Sequence, residues 1–394
     1  MLRIALSPTG DMHLNSMRTA LLNYVYALEM DEDLIVRIED TDKERNIEAK
    51  DAELVALLDL FGVKYSQIIY ESKNYRFHSA MALDLLHRKK AFNCFCSKET
   101  LEQKKAYDDT CRKLPAELVI DNENKFSVRI NRPTQDITIK DRTDGEIVFE
   151  SDTIDSFIIL NQDKTATPDF ASAVDDMLND ISFVIQEEKY LNNTPKHKHI
   201  RNSLGYDKEI EYLHVPSIID GDTISIKSLL EDGYLPEAIS NYLISLENIS
   251  ETSVSFNSEK LREINRESLK NLENKELSTY VGFADEEIGK LAKIYLKDTY
   301  TTKELKAKIA PVFEPRVIPE EFADEIESIK KAMDSAPFFD NYNEFKNYIL
   351  DITGLVESKF VKPFSILLTN SKDNTEDIAE LYNALKNYLG EIIK

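Results

Sequence analysis

Apolar and polar positions alternate over residues 2–7 (Leu-Arg-Ile-Ala-Leu-Ser), which predicts a short buried strand. Pro8-Thr9-Gly10 ends it, and an amphipathic helix is predicted from about Asn15 to Met30. A second strand, Leu34-Ile35-Val36-Arg37-Ile38, runs into the acidic corner Glu39-Asp40-Thr41-Asp42, and helical patterns cover 47–62 and 74–91. Strand, turn, helix, strand, helix is the grammar of a parallel α/β sheet, whose ligands lie beyond the carboxyl ends of the strands. Short alternating strands follow between about 125 and 160, separated by turns such as Asp144-Gly145. After Tyr234 the pattern is almost entirely helical, and three prolines between Ala310 and Pro319 mark a linker between helical parts.

Composition narrows the function classes. The 394 residues suffice for roughly two to four domains. A formal charge of −23 excludes a generally basic nucleic-acid binder, so any polyanion must meet a local basic face, and DNA is not an expected partner. Cys94, Cys96 and Cys111 lie close together and do not make a secreted disulfide framework. No apolar run approaches the ~18–20 residues of a membrane span, and Met1-Leu2-Arg3 leads straight into a strand. The expectation is a cytoplasmic, acidic, multidomain protein with no membrane partner.

Arg3-Ile4-Ala5-Leu6-Ser7-Pro8-Thr9-Gly10, then His13-Leu14-Asn15-Ser16 and Arg18-Thr19-Ala20-Leu21, resembles the start of a glutamyl-tRNA synthetase, a class I aminoacyl-tRNA synthetase. The resemblance continues through Arg37-Ile38-Glu39-Asp40-Thr41-Asp42, Val174-Asp175-Asp176, Leu191-Asn192-Asn193-Thr194-Pro195-Lys196 and Gly233-Tyr234-Leu235-Pro236-Glu237-Ala238. It implies an α/β fold with a Rossmann-type parallel sheet domain at 1–91 and 165–235, and an inserted zinc-bearing, acceptor-binding subdomain at 92–164. An all-helical C-terminal half would follow, with a stem-contact domain at 236–310 and an anticodon-binding-like domain at 311–394. By the same resemblance Arg3, Ser7 and Glu39 would face glutamate, and Thr9 and His13 would face ATP. A helix N-terminus there suits phosphates. The residues alone leave another reading open: Arg3 and Glu39 could pair with one another across adjacent strand ends.

Cys94-Phe95-Cys96, Tyr107 and Cys111 are similar to the zinc site in the acceptor-binding insertion of many bacterial glutamyl synthetases and their glutamyl-queuosine relatives. Three thiolates and one oxygen close a tetrahedral, structural shell. Tyr107 is the implied fourth ligand, and Asp108 or Asp109 could serve instead.

The catalytic motifs depart from the family. A lysine-rich ATP loop belongs between Asp220-Gly221 and Gly233-Tyr234, but the interval is too short for it, and Lys227 falls in a helical run as a surface lysine. Losing preorganised cations costs ~2.7–4 kcal/mol of transition-state stabilisation for each donor. Asn15 replaces a glycine of the first motif, where a side chain is expected to crowd the nucleotide. Gln186 replaces the arginine that would grip the glutamate carboxylate, and Pro168 replaces an amino-acid-binding tyrosine.

Basic residues cluster locally in Arg88-Lys89-Lys90, in Lys98, Lys104 and Lys105, and in Lys196, Lys198 and Arg201, all candidates for RNA contact. The leading expectation is a synthetase-like protein that binds tRNA or a tRNA-enzyme partner such as a functional synthetase, with glutamate activation lost or strongly impaired. One alternative is an active glutamate-tRNA ligase using ATP and magnesium; a second is a protein scaffold without RNA contact.

Overall fold

A computed structural model describes residues 1–97, 107–246 and 253–392. The described chain divides into two units, one of Met1–Lys227 with Leu243–Phe256, the other of Ser228–Tyr242 with Asn257–Lys394.

In the first unit, strand β1 (Leu2–Leu6) leads to helix α1 (Leu14–Met30), strand β2 (Leu34–Ile38) and strand β3 (Gln67–Tyr70). The three strands pair in parallel, with Leu6 opposite Ile38 and Ile38 opposite Tyr70. Helix α1 buries Leu14, Met17, Leu21 and Leu22, the recurring apolar face that the pattern predicts. It ends at Asp31, whose φ of 53° is the left-handed conformation that stops a helix. A second set of strands follows the order Gly145–Phe149, Ile137–Asp141, Glu211–Val215, Phe183–Glu187. The Ser182 amide donates to the Met1 carbonyl at 2.9 Å, which brings Phe183–Glu187 beside β1. The hairpin 137–149, inside the stretch read as an insertion, thus extends the second parallel set through Glu211 and Tyr212. A separate antiparallel sheet of Ala91–Cys94, Ser127–Ile130 and Ile158–Leu160 carries the cysteines on its edge. The parallel α/β arrangement expected of a Rossmann-type domain is therefore present.

The second unit is helical. Its core packs Phe345, Phe360, Phe364 and Tyr382, with ring centroids 4.8 Å apart between Phe345 and Tyr382. Val312, inside the three-proline stretch, is fully buried in the same core. The one strand after Tyr234 among the described residues, Ser253–Ser255, pairs in parallel with Ser217–Ile219 of the first unit and belongs to that unit. No helix among the described residues is long and apolar enough to cross a membrane.

Candidate active site

Strands β1, β2 and Phe183–Glu187 all end at one cavity of about 500 Å³. Arg3, Ser7, Thr9, His13, Glu39, Pro168 and Gln186 line it, so seven positions singled out in the sequence meet in space. The eighth, Asn15, does not.

Arg3 and Glu39 do not pair with each other, contrary to one of the open readings. In the parallel register Arg3 lies opposite Ile35, well before Glu39, which follows the end of β2. Arg3 Nε instead donates to Asp176 Oδ1 at 2.9 Å, and Arg37 donates to the same oxygen at 2.5 Å and to Glu39 Oε1 at 3.2 Å. Arg37 also pairs with the buried Glu71 at 3.4 Å, and the Ser172 hydroxyl donates to Glu71 Oε1 at 3.2 Å. Ser7 Oγ donates to Glu39 Oε2 at 3.2 Å. Burial alone would raise the Asp176 carboxyl, but the Arg3, Arg37 and Arg201 guanidiniums hold it far below the carboxylate range. Glu71 moves the other way, raised well above 4.5 by burial and by the charge of Glu39. Sequence reasoning missed the roles of Arg37, Glu71 and Ser172. One signal was available: Arg37 sits in a strand whose other residues are all apolar, and a charge there must be paired.

Asn15 does not crowd the cavity. It is 3% exposed, and its carboxamide faces the turn after Ser217–Ile219. Oδ1 accepts from the Ile218 amide at 2.8 Å, while Nδ2 donates to Asp222 Oδ1 at 3.0 Å and to the Ile218 carbonyl at 3.4 Å. The turn closes on the head of α1: Leu14 N–H is shared by the Gly221 and Ile224 carbonyls at 3.1 and 3.2 Å, and Ile226 N–H reaches the Met12 carbonyl at 2.8 Å. His13, which precedes the helix, lines the cavity with a shielded Nδ1 that has no hydrogen-bond partner among the described residues. Lys227 is exposed on the helix Ile226–Glu231 and does not line the cavity. A cation the sequence did not single out, Lys189, lies between Glu187 Oε2 at 3.0 Å and Asp222 Oδ2 at 2.9 Å.

Gln186 occupies the opposite wall. Its Nε2 lies 2.9 Å from Thr194 Oγ1 and 3.0 Å from His214 Nε2, and His214 Nδ1 lies 2.7 Å from Asp141 Oδ2. Pro168 stands in the first turn of the helix Pro168–Leu178, where its missing N–H costs nothing. Asp169, next to it, holds His197 at 3.1 Å and Lys196 at 3.3 Å.

The thiol sulfurs of Cys94, Cys96 and Cys111 lie within 4.8 Å of one another. Tyr107 Oη is 3.5 Å from the Cys94 sulfur and 4.0 Å from that of Cys96. A tetrahedral zinc with ~2.3 Å bonds to sulfur spaces its ligands by roughly 3.8 Å, so this donor set fits that ion. Arg129 donates to the Cys94 sulfur at 3.3 Å and stacks 3.9 Å over the Tyr107 ring. Burial raises the Cys94 thiol, yet the hydrogen bonds from Tyr107, the Cys96 backbone and Arg129 outweigh it and bring it below its ordinary value. Asp108 is exposed and turns its carboxylate to Thr110, and Asp109 pairs with Arg132 at 3.4 Å. Neither carboxylate joins the cluster.

The basic candidates separate. Lys89 and Lys90 are exposed at the end of the helix Tyr75–His87, beside Arg88, which pairs with Asp84. Arg201 is no surface residue: it is 2% exposed and donates to the Tyr212 hydroxyl at 2.9 Å. Lys198 is tied to Glu209 and to the Thr138 carbonyl, and Lys196 to Asp169, so this second run offers no free basic face. Lys98, Lys104 and Lys105 lie outside the described residues.

Comparisons with known proteins agree with this geometry. The family of "tRNA synthetases class I (E and Q), catalytic domain" matches residues 1–266. Two relatives align over 433 residues, covering all of both chains in each case. They are Glutamate--tRNA ligase 2 of Sulfurimonas denitrificans, 51% identical, and Glutamate--tRNA ligase 1 of Nitratiruptor sp., 42% identical. These alignments are longer than the 394 residues present, so each ligase carries stretches with no counterpart here. The crystal structure of a glutamate tRNA ligase from Elizabethkingia meningosepticum, in complex with its amino acid, has the same fold with a TM-score of 0.79 at 20% identity. That match covers 100% of this chain and 98% of the other.

Proposed function

Because the chain belongs to the class I glutamyl-tRNA synthetase family, we propose that it is a tRNA-binding member in which ATP-dependent glutamate activation is lost or strongly impaired. The wall of the cavity carries this reading. Among the described residues no lysine lines it; of its two arginines, Arg37 is held by Asp176, Glu39 and Glu71, and Arg3 is tied to Asp176 through Nε. A splitting triphosphate needs preorganised cations aimed at the developing charge. The short turn held by Asn15 occupies the place where the family would carry its lysine loop.

Phosphates of tRNA would meet Lys89 and Lys90, with Arg88 beside them. Zinc, bound by Cys94, Cys96, Cys111 and Tyr107, would be structural, tying Tyr107 and Cys111 to the edge of the antiparallel sheet. A functional synthetase as a further partner, and residence in the cytoplasm, remain part of this proposal.

A second reading is an active ligase that charges a glutamate tRNA with ATP and magnesium. The names of the relatives at 51% and 42% identity favour it, as does the presence of Arg3, His13 and Glu39 on the cavity. Pyrophosphate exchange with glutamate, ATP and total tRNA separates the two. No exchange above background is expected, and exchange within ~100-fold of an ordinary synthetase, the loss from a single missing donor, overturns the proposal. A tRNA mobility shift that weakens steeply with salt is expected as well. No shift at any salt would make the protein a scaffold instead.

A further inference from the structure

The buried wall behind Gln186 fixes which end of its amide faces the cavity. An amide nitrogen only donates, so the ring nitrogen of His214 that lies 3.0 Å from Gln186 Nε2 accepts. The proton of that ring then sits on Nδ1, 2.7 Å from Asp141 Oδ2. Asp141 is itself held by the amides of Thr143, Asp144 and His214, at 2.8, 3.1 and 3.1 Å. Thr194 Oγ1 takes a second bond from Gln186 Nε2 at 2.9 Å. With the ring proton held at Nδ1 by the Asp141 carboxylate, a flipped amide would set its oxygen against the Nε2 lone pair of the neutral imidazole, which the Thr194 hydroxyl also faces at 3.0 Å. The nitrogen therefore points inward, and Oε1, which accepts from no described residue, is left for the cavity that Gln186 lines.

Arg3 supplies the opposite chemistry. Ile35, opposite Arg3 in the parallel register, packs in one cluster with Val184, two residues before Gln186, so both side chains leave the same face of the sheet. Only Nε of Arg3 is engaged, by Asp176, and its two terminal nitrogens have no described partner. The cavity thus offers a cationic donor at one end and a bare acceptor at the other, with Glu187 also lining it. A carboxylate suits the first end and is repelled by the second.

Resting on the reading of this cavity as the amino-acid end of a synthetase fold, we propose that it prefers an amino acid whose α-carboxyl is an uncharged carboxamide over free glutamate. The amide N–H of such a ligand donates to Gln186 Oε1, its side-chain carboxylate meets Arg3, and its ammonium faces Glu39. The probe is L-glutamic acid α-amide, titrated calorimetrically into the full chain beside L-glutamate. The α-amide is expected to bind about tenfold more tightly, the worth of one hydrogen bond gained against an acceptor left facing a carboxylate. Equal or tighter binding of glutamate, or no binding of the α-amide at millimolar concentration, overturns the proposal. Gln186→Arg is expected to invert the preference. Gln186→Met, which keeps the shape and removes the acceptor, is expected to bring the ratio to about one. Should the arginine variant fail to melt cooperatively, the methionine variant decides, and an undiminished preference in it refutes the role of Oε1. Pyrophosphate exchange by the native chain defeats the impaired-activation reading whatever the ratio, whereas a ratio of one without exchange defeats this inference alone.

Discussion

Asn15 and Gly221 are in direct contact: a Cβ at Gly221 would lie 2.9 Å from both Nδ2 and Oδ1 of the Asn15 carboxamide. The head of α1 and the short turn 219–225 are therefore fitted to each other, and neither residue can change alone without loss. Gly221→Ala is expected to cost about 1–3 kcal/mol through overpacking, and Asn15→Gly a similar amount through three lost buried hydrogen bonds. The double variant should lose about 1 kcal/mol less than the sum, because the carboxamide that the new methyl would strike is gone. Ile218 Cβ, also 2.9 Å away, keeps the relief partial. Urea melts of the four proteins measure the coupling, and strict additivity would refute it.

Asp176→Asn should be among the most destabilising single changes. It leaves two buried guanidiniums, those of Arg3 and Arg37, short of their shared counter-charge. Breaking a buried pair in this way costs about 3–5 kcal/mol. Chemical denaturation at neutral pH reads the loss directly, and a cost below 1 kcal/mol would mean that the arginines find other partners.

Glu71 gives the stability a pH dependence of unusual sign. Its carboxyl is raised well above 4.5 by burial and by Glu39, so over that interval the folded chain holds a proton that the unfolded chain has released. Stability contributed by this site therefore falls as the pH rises from 4.5 through the raised value. Asp176 behaves oppositely: its contribution is complete above its unfolded value of 3.8 and is lost only as the pH falls toward its depressed folded value. The stability of Glu71→Gln relative to the native chain should accordingly grow between pH 5 and pH 8. A difference that stays flat with pH would contradict the shift.

Elemental analysis should find one zinc per chain, lost on Cys94→Ser and kept on Asp108→Asn. Chelation should lower the melting temperature of the native protein and leave that of Cys94→Ser unmoved. Metal-free protein of unchanged stability would remove the site.

Lys89→Ala with Lys90→Ala should weaken tRNA binding and reduce the salt slope by about 1 for each lysine that meets a phosphate. Lys198→Ala, which removes an amine already tied to Glu209, should leave the slope unchanged. Equal effects from both would mean that the field of the whole acidic body, rather than these contacts, governs the association.

Much of the fold was legible because it is written in local periods. The alternation over 2–7, the apolar run over 34–38 and the breaking Pro8-Thr9-Gly10 correspond to β1, β2 and the turn between β1 and α1. The clustering of Arg3, Ser7, Thr9, His13, Glu39, Pro168 and Gln186 on one cavity followed from family motifs placed at strand ends. Partner identity was not legible, because a pairing between residues 3 and 176, or 15 and 221, depends on which strands become neighbours.

By itself, the sequence determined the parallel α/β beginning, the helical remainder, the cysteine cluster and an interval from Asp220 to Tyr234 with Lys227 as its single lysine. These depend on spacing within a few residues. Only the tertiary structure decided that Arg3 answers to Asp176, that Asn15 turns from the cavity to the 219–225 turn, that Arg201 is buried, and that Gln186 sets its amide against His214 and Thr194. Each of those is a long-range contact, where burial removes water as a competing partner and leaves the nearest complementary group to set the side chain's direction.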